Sequence, residues 1–223
     1  MKDKPHSVKR RGRPFAAAVG DTREHLLDAA TRLFSEQGVS ATSVAEIAAA
    51  VGVTSAMVHY YFKTRERLLD AVVEERIGIF VSVIEEHVGK SNDPFIMVRG
   101  LVERIVETTV QIPWLPALWI REIASEGGQL RERLLKLLPV DMQNHFSVCI
   151  AEGQKRGVVN AKLNPQLLFV SIIGQTLFPL AVSKVWRQFP SLERFCDEAF
   201  VDHATSLLLF GMRGEPRVAR GDR

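Results

Sequence analysis

"VGVTSAMVHYYFKTRERLL", residues 51–69, sets a Thr-Ser pair, a His, two Tyr and a Lys between a few apolar anchors. Wound at about 100° per residue, the stretch after Thr54 divides into two faces. Thr54, Val58, Tyr61 and Phe62 share one side; Ser55, Ala56, His59, Tyr60 and Lys63 share the other. Thr54 is the natural N-cap, and Val53 and Val58 stand where a hydrophobic staple packs. Val58 and Phe62 can therefore pin a short helix whose remaining face is small at its start and aromatic-polar beyond. Such a face is too polar to bury and too aromatic for idle surface, although a plain helical hairpin packed into a core is the alternative.

The residues upstream supply a second short helix, from about Val44 to Ala50. Ser43 or Thr42 caps it, and Val44, Ile47, Ala48 and Val51 form its buried stripe. Gly52 allows the turn into the next helix. Before it, a helix starting near Asp21 or Thr22 carries Leu26, Leu27, Ala30, Leu33 and Phe34 on one face and stops at Gly38. Two short helices joined by a glycine turn, the second presenting the face described, make a helix-turn-helix, whose second helix enters the major groove of DNA. Small residues allow close approach to base edges. His59, Tyr60 and Lys63 have the reach for phosphates or bases, and free N–H groups at a helix start favour a phosphate.

The rest of the chain also reads with helical period, so the expected class is all-α: a three-helix DNA-binding domain (21–66) followed by a larger helical body (67–212). Thr64 caps a long fourth helix reaching Val88, and Pro94 opens a fifth reaching Val110. Pro113 and Pro116 frame a corner containing Trp114 and Trp119. A helix from Gln129 to Arg156 is expected to bend at Pro139. Asn164-Pro165 opens an apolar helix to about Gln188, kinked at Pro179, and the last helix runs from Ser191 to Phe210. Residues 213–223 read as a flexible tail.

Of 223 residues, 46% are hydrophobic, enough for a substantial core. The formal net charge is only +3, but residues 1–23 carry seven Lys and Arg against two Asp. Residues 1–20 read as a flexible basic arm, which points to a polyanion. Its "KRRGRP", Lys9 to Pro14, resembles an AT-hook core, in which Arg10, Arg11 and Arg13 enter an A·T minor groove. Cys149 and Cys196 fall in apolar helical patterns, as buried reduced thiols of a cytoplasmic protein do. No signal peptide opens the chain, and 167–182 is too short and too interrupted to span a membrane. No P-loop, nucleophile elbow, HExxH or paired-Cys motif occurs, and the six His are scattered. No enzyme activity, catalytic residue, metal or cofactor is expected.

"TREHLLDAATRLFSEQGVSATSVAEIAAAVGVTSAMVHYYFKTRERLLDAV", residues 22–72, resembles the N-terminal domain of the TetR family of bacterial transcriptional regulators. The resemblance implies that Thr42 and Ser43 lie near phosphate. It places Thr54, Ser55, Ala56, His59, Tyr60 and Tyr61 in or beside the groove, with Lys63 and Arg65 pairing with phosphates. Ser55-Ala56 stands where Lys-Gly is frequent, His59 where Tyr is usual and Ala45 where a longer polar residue often sits, which leaves the operator sequence open. The resemblance further implies a homodimer on double-stranded operator DNA, released by a small-molecule effector; a DNA-binding scaffold without an effector is the alternative. The dimer has independent support, because Leu167, Ile172, Phe178 and Val185 cover more of their helix than one chain can bury. Candidate effector-lining residues are Phe80, His87, Met97, Trp114, Trp119, Phe146 and Phe178.

Overall fold

Helix α1 (Phe15–Gln37) begins six residues before the cap signals at Asp21 and Thr22, because the alanines at 16–18 are strong helix formers and carry it N-terminally. The structure, a computed structural model, describes residues 15–192 and 196–214, and for 15–20 the backbone alone. Gly38 ends α1 at φ +92°, a left-handed conformation that favours glycine. Ser43 rather than Thr42 caps α2 (Val44–Val51). Its hydroxyl accepts from the N–H of Glu46, and the Glu46 carboxylate accepts from the N–H of Ser43, completing a capping box. Gly52, at φ +76°, turns the chain into α3 (Ser55–Phe62).

The fourth helix is continuous but not uniform. It comprises α4 (Arg65–Val72), a π-turn (Val73–Ile77) and α5 (Gly78–Val88). The first half of it joins the core built by α1–α3, where Leu26, Phe34, Ile47, Val58, Phe62, Leu69 and Ile77 pack together. The second half joins the core of the body, with Phe80, Ile84 and Val88 against Met97, Leu101 and Phe146. Asp93 caps α6 (Pro94–Gln111), accepting from the N–H groups of Phe95 and Ile96, with Pro94 at the tolerated first position. After Trp114 come α7 (Leu115–Leu118) and a second π-turn, Trp119–Ala124.

Three expectations for the body need correction. The helix predicted to bend at Pro139 is broken into α8 (Arg131–Leu137) and α9 (Val140–Lys155). Leu138, immediately before the proline, is extended (φ −65°, ψ 125°), as that ring requires of its neighbour. Helix α10 (Pro165–Ala181) ends two residues after Pro179 instead of continuing to Gln188. A separate turn, α11 (Ser183–Trp186), follows, and the Trp186 indole N–H donates to the Pro179 carbonyl at 2.7 Å. Helix α12 (Asp197–Met212) starts six residues after Ser191, which lies in a turn with Leu192. Cys196 is consequently exposed at its start, whereas Cys149 is buried as expected. Arg213 and Gly214 are held against the α9–α10 loop through a bridge to Val159 and a Gly214 N–H bond to Val158.

Candidate nucleic-acid interface and body cavity

Both tyrosines of the chain lie side by side on α3, and they face different surroundings. Tyr60 is 61% exposed, while Tyr61 packs against the core and its hydroxyl is buried with no hydrogen-bond partner among the described residues. The two rings meet edge to face at 5.1 Å. Lys63 Nζ lies 5.3 Å from the Tyr60 ring centre, a cation–π distance. His59 is exposed, its Nδ1 3.4 Å from the Lys63 carbonyl. Val58 and Phe62 are buried, and the Arg23 guanidinium lies over the Phe62 ring at 5.2 Å. The helix is thus pinned on one side and bare on the other. At its start Thr54 is exposed and makes no side-chain capping bond, Ser55 is half-buried and Ala56 is exposed. Among the described residues the first N–H groups of α3 therefore have no side-chain acceptor, the condition in which a helix start receives an anion. Lys63 ends the helix at φ +63°, the one non-glycine with positive φ among the described residues.

Thr42, Tyr61 and Arg65 take different positions from those the sequence suggests. Thr42 is buried, and its hydroxyl donates to the Gly38 carbonyl at 2.8 Å. Tyr61 faces inward. The Arg65 guanidinium donates to the carbonyls of Thr42 (2.8 Å) and Val39, so its donors serve the loop between α1 and α2. Geometry wins over type here: a guanidinium half-sunk beside two carbonyl groups replaces its lost water with them. Ser43 remains exposed at the N-cap of α2. Arg10, Arg11 and Arg13 lie outside the described residues.

Five charged pairs fasten α1 to the fourth helix and the fourth helix to α8. Arg23 bonds Glu75 at 2.5 and 2.8 Å, and Arg76 reaches Glu24 at 2.7 Å and Asp28 at 2.8 Å. Arg133 of α8 donates to Asp70 at 2.8 Å and also to Glu66. The Arg23 hydrogen bond holds the Glu75 carboxyl below its ordinary range, and the Arg76 bond does the same for Glu24.

In the body, a cavity of about 470 Å³ opens between α5, the second π-turn, α8, α9 and α10. Its walls are Phe80, Val81, Ile84, Trp119, Leu135, Leu138, Pro139, Val140, Met142, Gln143, Phe169, Val170 and Ile173. No lining side chain is ionisable, and the polar groups in the walls are the Gln143 amide and the Trp119 indole N–H. Phe80 and Trp119 meet edge to face at 5.9 Å.

Of the seven candidates named from sequence, only Phe80 and Trp119 line this cavity. Met97 and Phe146 are fully buried core residues. Trp114 packs between the two cores. His87 lies in the α5–α6 seam, so close to Gly100 that a Cβ there would fall 2.2 Å from its ring; burial lowers its pKa. Phe178 is exposed on α10. The signal that locates the missed residues is the break at Pro139, which turns Leu138 and Val140 to the same opening.

This architecture, a helix-turn-helix on an all-helical body with its own cavity, defines a class of DNA-associated regulatory protein. Residues 26–72 match the model of the bacterial regulatory proteins of the tetR family. The fatty acid metabolism regulator protein of Bacillus subtilis (strain 168) is 32% identical over 149 residues, covering 67% of this chain and 76% of that one. The chain belongs to the tetR family. A second relative, the HTH-type transcriptional regulator AcrR of Shigella flexneri, is 38% identical over 91 residues, 40% of this chain and 42% of that protein. The crystal structure of AibR, in complex with isovaleryl coenzyme A and operator DNA, superposes with a TM-score of 0.67 at 21% identity, over 86% of this chain and 99% of that one. At that identity the likeness concerns the fold.

Proposed function

We propose that the chain is a homodimeric transcriptional repressor that binds operator DNA through α3 and leaves it when an uncharged apolar effector occupies the body cavity. The observation that carries the reading is the one-sided exposure of α3. Val58 and Phe62 fix the helix while Thr54, Ser55, Ala56, His59, Tyr60 and Lys63 stay outside the core. Ser55, Ala56 and His59 are assigned to base edges, and Ser43, Tyr60 and Lys63 to phosphates. Arg10, Arg11 and Arg13 are assigned to the minor groove beside the site.

Dimerisation is assigned to α10 and α12, on which Leu167, Val170, Phe178, Leu207 and Phe210 are exposed. A single chain leaves these groups in water, whereas a second copy removes them from it. Two reading helices about one DNA turn apart then multiply the specificity of each. Among the described residues no helix is long and apolar enough to cross a membrane, and the cytoplasm, where the DNA is, is the proposed location.

The cavity favours effector control over a scaffold role. A carboxylate or phosphate entering it loses water and finds no cation in the walls, at a cost of several kcal/mol. An uncharged apolar molecule gains from the same burial. The neighbour AibR, held in one complex with a small molecule and operator DNA, supports joining both functions in one chain.

The test is a fluorescence-anisotropy titration of the purified full chain on DNA from the promoter region beside its own gene. Saturable, salt-sensitive binding at a discrete site is expected. Equal affinity for that DNA and for scrambled DNA would sink the reading.

A further inference from the structure

We infer that Glu122 is a positioning residue: through it, packing around Trp119 at the cavity sets where the loop 38–42 holds the DNA-reading module. The inference deepens the effector reading above and rests on it.

Glu122 is 5% exposed, and among the described residues no Lys, Arg or His pairs with it. A buried carboxylate without a cation is expensive unless hydrogen bonds replace its water. Here two backbone amides do so. Oε1 accepts the N–H of Val39 at 2.8 Å, and Oε2 accepts the N–H of Gln129 at 3.1 Å. Val39 belongs to the loop that enters α2, whereas Gln129 belongs to the turn that enters α8. One side chain therefore holds the two regions together.

The surroundings are built for this approach. Gly38 lies so near that a Cβ on it would sit 3.2 Å from Glu122 Oε1 and 3.3 Å from Arg121 Cδ. A Cβ on Gly128 would sit 2.2 Å from the Glu122 carbonyl oxygen, so only glycine passes there. The Gln129 amide donates to Ser40 Oγ at 2.7 Å, and Arg65 grips the Val39 carbonyl from the opposite side. Val39 is thus held at both its N–H and its C=O, and the next cap after it is Ser43, which starts the helix-turn-helix.

Trp119 stands three residues before Glu122 in the same π-turn. Its ring forms part of the cavity wall and meets Phe80. A shift of this ring is a shift of the turn that carries Glu122. Because the carboxylate is buried, it follows its two amide partners or pulls them with it; solvent offers no alternative.

The test is amide hydrogen exchange by NMR on the full chain without DNA or ligand, in Trp119→Leu, Glu122→Gln and the double variant. Trp119→Leu is expected to speed exchange at Val39 about tenfold, and to have under about a twofold further effect once Glu122→Gln is present. A residue that only supports the fold would give effects that multiply, and that result overturns the inference, as does unchanged Val39 exchange in Trp119→Leu. If Glu122→Gln fails to fold, Trp119→Leu alone decides. Val39 and Gln129, the two partners of the carboxylate, must then accelerate together, while Gly38, bonded to Phe34 within the helix end, does not. Uniform acceleration of all three overturns the inference. Failure of decanol to bind the cavity would instead remove the effector reading and leave the exchange result standing.

Discussion

The Glu122 carboxylate accepts the Val39 backbone N–H at 2.8 Å, although 83 positions separate the two residues. With Arg65 on the Val39 carbonyl, this bond makes the loop before α2 a fixed joint between the reading module and the body. A joint satisfied at both backbone groups resists movement, because a backbone N–H or C=O left buried without a partner is costly.

Lys63→Ala should weaken binding to every DNA sequence alike and lower the slope of log affinity against log salt by about one. Changes at Ser55 or His59 should alter sequence preference with the slope kept. Anisotropy titrations at several salt concentrations separate the two. Full affinity of Lys63→Ala at all salts would remove the phosphate assignment.

Arg65→Ala should act through the fold. Two carbonyl acceptors lose a charged donor, so stability should fall by about 1–3 kcal/mol by chemical denaturation. DNA binding should weaken with an unaltered salt slope. A slope reduced by one would restore Arg65 to the phosphate contacts.

Ser43→Ala removes the hydroxyl side of the α2 capping box, leaving the Glu46 carboxylate on the backbone N–H of residue 43, and should cost about 1 kcal/mol. Thr54→Ala removes no cap bond and should leave the melting temperature within about a degree of the parent's while altering DNA affinity.

The clamp between α1 and the first π-turn should be acid-labile. The Glu75 and Glu24 carboxyls are lowered, chiefly by hydrogen bonds from Arg23 and Arg76, so the folded state binds fewer protons than the unfolded one. Their contribution is complete above the ordinary carboxylate pKa and is lost as pH falls through the lowered values. Urea midpoints measured from pH 7 downward should decline in that window, and less steeply in Arg76→Ala. Equal steepness in both proteins would contradict the assignment.

Decanol should raise the melting temperature of the full chain and quench its tryptophan fluorescence, while decanoate should do neither at the same concentration. Ile173→Asp should abolish the decanol effect by placing a charge in the wall. Stronger binding of decanoate than of decanol would show that a cation reaches the ligand.

The DNA-reading module was legible because its signals are local. Gly52, Thr64 and the apolar positions Val58 and Phe62 act within a few residues of their partners, and the structure places each as its spacing predicts; of the two candidate caps for α2 it selects Ser43. In the body, two helices that departed from expectation break at Pro139 and Pro179, whereas α1 departs through the alanines that extend its start. A proline shows that regular structure is disturbed, but packing decides whether the helix bends, stops or resumes.

The composition of the cavity and the roles of Thr42, Arg65 and Glu122 belong to tertiary structure. Arg65 reads as a phosphate ligand until the carbonyls of Val39 and Thr42 are seen beside it, and Glu122 reads as an ordinary surface acid in a helix. Trp114 and Trp119 are equivalent by type, yet one packs between two cores and the other forms a cavity wall. Sequence by itself settled the helical periodicity and the turn glycines, whose energies depend on near neighbours. Which polar groups are buried, and against what, depends on contacts between segments more than 80 residues apart, and only the folded chain brings those together.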